Sequence, residues 1–164
     1  MSQIYSSPDF EAEYTYHGND LGASWTAEKT SFRLWAPTAD AVRIQLYRGG
    51  DALKNDALLQ FPMKRDIQGT WYAEYMGNLN GVYYTYLVTH GENTVEACDP
   101  YARTTGVNGM RAMVIDLSAT NPQGWETDSD PHAGCSVTDA VIYELHVRDL
   151  SIDKSSGIRQ KGKF

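Results

Sequence analysis

Along most of the chain, apolar and polar residues alternate between short runs of turn formers, which is how a sheet with one buried face is written in sequence. In AVRIQLY, Val42, Ile44 and Leu46 fall on one side and Arg43, Gln45 and Tyr47 on the other, and Gly49-Gly50 ends the run. VYYTYLVT puts Val82, Tyr84, Tyr86 and Val88 together, and His90-Gly91 turns it into NTVEAC, predicting a hairpin. GTWYAEY groups Trp71 with Ala73 and Tyr75 as a core face, and SFRLWAP is a strand that Pro37 stops. ALLQFPM carries Pro62, which has no ladder donor and predicts an edge strand. DPYARTTGVNG, from Asp99 to Gly109, has neither period and reads as an ordered surface loop, after which RAMVIDL gives one more short strand. No ten-residue window shows an i, i+3, i+4 apolar stripe. The pattern predicts an all-β chain, an immunoglobulin-like β-sandwich of about seven strands with almost no helix.

The pattern divides the chain into a lead-in over 1–30, the sandwich over 31–120, a linker over 121–138 and a last segment over 139–164. NPQGWETDSDPHAG, from Asn121 to Gly134, is polar and broken by Pro122 and Pro131, a linker composition. AVIYELHVRDLS then reads as a strand buried on both faces. Ile142, Glu144 and His146 alternate there with Val141, Tyr143, Leu145 and Val147, as in a parallel sheet covered on both sides. At 164 residues the chain holds one compact domain and an appendage.

Charge narrows the partners. With 14 basic and 21 acidic residues the formal charge is −7, and no Lys/Arg run offers a footprint for nucleic acid or an anionic membrane. No apolar run reaches the ~18 residues of a membrane span. Cys98 and Cys135 form no CxxC pair, and MSQIYSSPDF has neither the basic nor the apolar region of a secretory signal, so a reduced, cytoplasmic setting is expected. The 11 Tyr and 4 Trp can serve a β-rich core or flat surfaces on which sugars stack.

Catalytic signatures are absent: there is no G-x-S-x-G, P-loop, H-E-x-x-H or G-x-G-x-x-G. Asp128 and Asp130 form a D-x-D without the further oxygens and distal Glu of a calcium loop, so no metal and no cofactor is expected. Sugar binding needs an exposed aromatic beside hydroxyl partners, and Tyr83, Thr85, His90 and Asn93, on and after the predicted hairpin, are the candidates.

Four stretches carry a family resemblance in order along the chain: GNDLGASWTAEKTSFRLWAPTADAVRIQLY (18–47), GTWYAEYMGNLNGVYYTYLV (69–88), ACDPYARTTGVNGMRAMVIDL (97–117) and DAVIYELHVRDLSIDKSSGI (139–158). DPYA followed by VNG, and YELHVRDLS followed by SGI, are the most specific parts. The chain resembles the N-terminal part of type I pullulanases, α-1,6-glucan debranching enzymes of glycoside hydrolase family 13. The resemblance implies a sandwich similar to carbohydrate-binding module family 48, then the first strand of a (β/α)₈ barrel in which Tyr143, Glu144, His146 and Arg148 are structural. Glu144 would there be a barrel-interior carboxylate paired with His146 or Arg148, since a lone acid lacks the second carboxyl, ~5–5.5 Å away, that retaining glycoside hydrolysis needs. It implies that the catalytic carboxylates lie on later barrel strands, so no residue of this chain is catalytic and the chain alone is inactive. Its partners would be the catalytic barrel of the same polypeptide and a branched α-glucan. Glycogen-binding members of the module group carry a Lys where this chain has Thr85. The alternative reading is an autonomous α-glucan-binding module.

Overall fold

The computed structural model describes Tyr5 and residues 7–163. The chain divides after Asn121 into two compact units.

The first unit opens with helix α1 (Pro8–Tyr14), an element of about two turns, below the length at which an apolar stripe shows. Its start follows capping chemistry: Ser7 accepts from the Phe10 N–H at 3.2 Å, Pro8 stands in the first turn, and Asp9 and Glu11 favour its positive end. This helix and a six-residue one in the second unit are the α-helices among the described residues, so the chain is built of strands with little helix, as the pattern predicts.

Nine strands follow among the described residues: β1 (Gly22–Trp25), β2 (Lys29–Trp35), β3 (Ala41–Tyr47), β4 (Ala57–Pro62), β5 (Lys64–Arg65), β6 (Thr70–Met76), β7 (Tyr83–His90), β8 (Asn93–Ala97) and β9 (Ala112–Met113). They form two antiparallel sheets, ordered β1-β2-β6-β5 and β4-β3-β7-β8, with β9 also pairing with β7. The seven expected strands are all present; β1 and the two-residue β5 are additional. Because β1 pairs with β2 from Gly22↔Arg33 to Trp25↔Thr30, the sandwich begins inside the stretch read as a lead-in. The DPYARTTGVNG loop is irregular apart from a 3-10 turn at Val107–Gly109 and a single antiparallel bridge from Thr105 to Ala112.

The alternation places the core. Phe32, Leu34 and Trp71 from one sheet meet Val42, Ile44, Leu46, Tyr84 and Tyr86 from the other, all buried. The Phe32 and Tyr84 rings meet edge to face with centroids 5.1 Å apart. Pro62 lies in β4, which pairs only with β3, so its missing N–H costs no ladder bond on the open side.

In the second unit, Ala140–His146 makes no ladder with any strand among the described residues, although the backbone is extended at Ala140 and His146. The expected strand is therefore not formed, because a strand requires a neighbour to take its N–H and C=O groups. Helix α2 (Val147–Ile152) follows directly and takes up Arg148, with His146 Nδ1 accepting from the Asp149 N–H at 3.3 Å. The chain then folds back on this helix: Ser151 is buried, its Oγ accepts from the Gly162 N–H at 2.7 Å, and Lys161 Nζ donates to the Asp153 carbonyl at 2.6 Å.

Candidate functional site

The alternation that buries Tyr84 and Tyr86 turns Tyr83, Thr85, Leu87 and Thr89 to the outer face of the second sheet. Register sets Tyr83 beside Tyr47, Thr85 beside Gln45, and Leu87 between Arg43 and Glu96. His90 and Asn93 pair at the hairpin turn. Tyr83 and His90 stand at the two ends of β7, roughly 23 Å apart at the usual rise, so the four expected sugar-binding residues are not gathered into one site. They form two pairs at opposite ends of β7.

At the Tyr83 end, groups that the sequence reading passed over dominate. Thr85 is buried and its hydroxyl donates to Glu96 Oε1 at 2.8 Å, and the Tyr47 hydroxyl donates to the same oxygen. Burial, then this Glu96 contact, pushes the Tyr47 phenol above its ordinary value. Arg111, also buried, lays its guanidinium 3.5 Å from the Tyr47 ring centroid. Its Nη1 donates at 2.7 Å to both Asp56 Oδ1 and the Gly49 carbonyl, and its Nη2 donates to the Lys54 carbonyl at 3.1 Å. The hydrogen bond from Arg111 holds the Asp56 carboxyl below the usual carboxylate range. Arg111 thus ties the β3–β4 loop down over the sheet.

A cavity of about 620 Å³ lies beside this cluster, between the β3–β4 loop, Glu96 and Met110. No free aromatic face lines it, because the cation occupies Tyr47. Tyr83 is half-buried against the backbone at Gly50 and Gly106, which approach so closely that a Cβ on either would collide with the other. At the far end of β7, the exposed His90 Nδ1 lies 3.0 Å from the Thr38 carbonyl and the Gly91 N–H donates to Asp40 at 2.7 Å, contacts that close a turn.

The carboxylates are arranged against acid–base work. Asp20 and Asp66 converge on Arg33, with Nε–Oδ2 at 2.9 Å and Nη1–Oδ2 at 2.7 Å. Burial acts to raise Asp20, but hydrogen bonds from Tyr16 and Arg33 bring it below its ordinary value, and the Arg33 contact lowers Asp66. Both therefore stay ionised, and a retaining pair needs one that holds a proton. Asp99 is the opposite case: burial raises its carboxyl, and it sits in the core accepting from Tyr84 at 2.6 Å and Tyr86 at 3.2 Å. Its other oxygen takes the Tyr101 N–H at 2.8 Å, so Asp99 anchors the DPYA loop rather than facing a substrate.

Tyr143, Glu144 and His146 are exposed in the unpaired stretch, and Arg148 is exposed in α2. No hydrogen bond or ion pair among the described residues joins Glu144 to His146 or Arg148, so the expected pairing is absent; His146 instead lies 3.5 Å from Asp149. Among the described residues no group of three or more His, Cys, Asp or Glu side chains could hold a metal ion.

Residues 20–102 match the family model of carbohydrate-binding module 48, the isoamylase N-terminal domain. The chain is 33% identical over its whole length to the pullulanase of Bacillus subtilis, of which it spans 21%. It is 36% identical over 84% of its length to the chloroplastic pullulanase 1 of Arabidopsis thaliana, of which it spans 15%. Among solved structures, the pullulanase of Paenibacillus barengoltzii in complex with maltohexaose and α-cyclodextrin superposes with a TM-score of 0.83 at 51% identity, over 96% of this chain and 24% of that one. The pullulanase of Bacillus acidopullulyticus gives a TM-score of 0.78 at 46% identity, over 92% and 18%.

Proposed function

We infer a non-catalytic role from one established premise: the chain belongs to the carbohydrate-binding module 48 family. It matches the N-terminal region of pullulanases and spans about a fifth of the Bacillus subtilis relative. We propose that it is the N-terminal portion of a debranching hydrolase that cleaves α-1,6-glucosidic linkages in branched α-glucans, with the sandwich supporting a catalytic barrel of the same polypeptide. In that reading Ala140–His146 is the first barrel strand, which acquires its ladder when neighbouring strands are present. The arrangement of the carboxylates supports the non-catalytic assignment most directly: the two that converge are held ionised by one arginine, and the one that burial raises is enclosed by tyrosines. No helix among the described residues is long and apolar enough to cross a membrane. The free thiols of Cys98 and Cys135 support a reducing, cytoplasmic compartment.

Pullulan is the test. The purified chain should release no reducing ends, whereas a polypeptide that continues this chain into a complete barrel should. Reducing-end release by the chain alone, abolished in Glu144→Gln, would overturn the assignment.

A further inference from the structure

The outer face of the second sheet spends its aromatics on Arg111 and Glu96, but another part of the sandwich leaves them open. A groove of about 480 Å³ runs between the end of α1, the end of β2 and the DPYA loop, lined chiefly by Tyr14, Tyr16, Leu21, Trp35, Pro100 and Tyr101. A second cavity of about 470 Å³ continues it, sharing Tyr16, Leu21 and Tyr101 and adding Asn19 and Arg103. Each is within the ~300–1,000 Å³ of small-molecule sites.

The rings are held by their polar edges; Arg33 covers one face of Tyr16 and Phe10 packs beside Trp35 and Tyr14, while Trp35 and Tyr101 keep much of their surface accessible. The Trp35 indole N–H donates to the Tyr14 carbonyl at 2.7 Å while the residue remains 41% exposed. Tyr16 gives its hydroxyl to Asp20 and lies beneath Arg33. Tyr101 is 52% exposed, yet its backbone is held by buried Asp99 and packs closely on Gly22, where a φ of +97° disfavours a side chain and a Cβ would sit 3.1 Å from Tyr101. Such preorganised aromatics lose little rotamer freedom on binding. Asp20 is neutralised by Arg33. Exposed Asn19 and Arg103 make no hydrogen bond or ion pair among the described residues and can serve hydroxyl groups. Flat apolar faces followed by unengaged neutral and cationic donors suit a ligand with CH-rich faces and hydroxyl rims.

We propose that this groove binds a linear α-glucan segment, a site separate from the Tyr83–Glu96 face. The proposal rests on the reading above that an α-glucan is the partner, and it places the sugar on Trp35 and Tyr101. A protein surface is the competing occupant.

The test is a tryptophan-fluorescence titration of the 164-residue chain with maltohexaose, with cellohexaose as the β-linked control. Maltohexaose should bind in the millimolar range or tighter and cellohexaose more weakly. Tyr101→Ala and Trp35→Ala should each weaken maltohexaose binding tenfold or more, and Tyr83→Ala should leave it unchanged. Melting curves check each variant; should Trp35→Ala lose its fold, Tyr101→Ala and Arg103→Ala decide. Absence of maltohexaose binding overturns the proposal and leaves the groove to a protein surface. Binding that survives in Tyr101→Ala, or that Tyr83→Ala abolishes, overturns the groove while the α-glucan reading stands. Reducing-end release is measured separately and fails independently.

Discussion

AVRIQLY and VIYELHV are nearly the same sentence in sequence, an alternating run rich in β-branched and aromatic residues, and they end in opposite states. In β3, Val42, Ile44 and Leu46 are 1%, 0% and 2% exposed, with β4 and β7 paired on either side. In the second unit, Val141, Ile142 and Tyr143 are 95%, 88% and 76% exposed and no ladder forms. Intrinsic preference is shared; what differs is the availability of partners. Strand propensity measures fit to a pleated, half-buried surface, and where no surface exists it has nothing to act on.

The largest expected effect breaks the comparison at its stronger member. Ile44→Ala removes a fully enclosed side chain and should cost ~2–5 kcal/mol, whereas Ile142→Ala should cost under ~0.5 kcal/mol. Urea unfolding of both variants checks this, and equal losses would mean that VIYELHV is as well packed as β3.

Asp99 gives the next effect, since it is a buried acid shared by two core tyrosines of the first unit. Asp99→Ala strands the Tyr84 and Tyr86 hydroxyls in the core, at ~1–3 kcal/mol for each one left unsatisfied. Asp99→Asn, which keeps an acceptor, should cost less. The acid itself carries a pH signature. Burial raises its folded pKa above the ordinary value of 3.8, so the folded state binds the proton more tightly than the unfolded chain. Its contribution to stability is greatest below that ordinary value and falls as pH rises through the raised one. Stability measured from acid to neutral pH, wild type minus Asp99→Asn, should decline across that window. A difference that rises instead would place the Asp99 carboxylate in a site that favours its charge.

These contrasts explain which parts of the molecule were legible in advance. β2, β3, β6 and β7 announce themselves because one buried face imposes period two, the fully exposed β8 is marked instead by the His90-Gly91 turn before it, and Pro62 marks the β4 edge. α1 is too short to show a helical stripe; only Ser7-Pro8-Asp9 signals it. VIYELHV was read as a strand from a pattern that says nothing about partners. The candidate site fared differently again. Tyr83 and Thr85 lie on the outward side of β7, with Thr85 covered there, and nothing in the spacing connects them to Glu96, Asp56 and Arg111. Arg111 and Asp56 are 55 positions apart, and such pairs meet only once register and loop path are fixed.

Hydrogen exchange sharpens the same contrast without mutation. Amides of β3 and β7 should exchange only through large-scale opening, while those of residues 140–146, which lack ladder bonds, should exchange near the unstructured rate. Given an ordinary domain stability of ~5 kcal/mol or more, the gap should be on the order of 10³-fold or greater. Comparable protection in a dilute monomer would show that VIYELHV has found a partner surface.

The smallest effect on stability has a separate consequence for association. Ile142→Ser combined with Tyr143→Ser should shift the unfolding free energy by under ~0.5 kcal/mol, since both side chains are exposed. Yet Val141, Ile142 and Tyr143 form an apolar, β-prone run with free backbone groups on both edges, the arrangement that recruits a strand from another molecule. Sedimentation velocity over a concentration series should therefore show wild-type chains associating as concentration rises and the double variant remaining monomeric. Val42 and Ile44 carry the same chemistry but are already enclosed, so only the unpartnered copy of the pattern should drive assembly. If the double variant associates as strongly as wild type, the sticky surface lies elsewhere, with the other exposed apolar groups Leu150 and Ile152 of α2 the next to test.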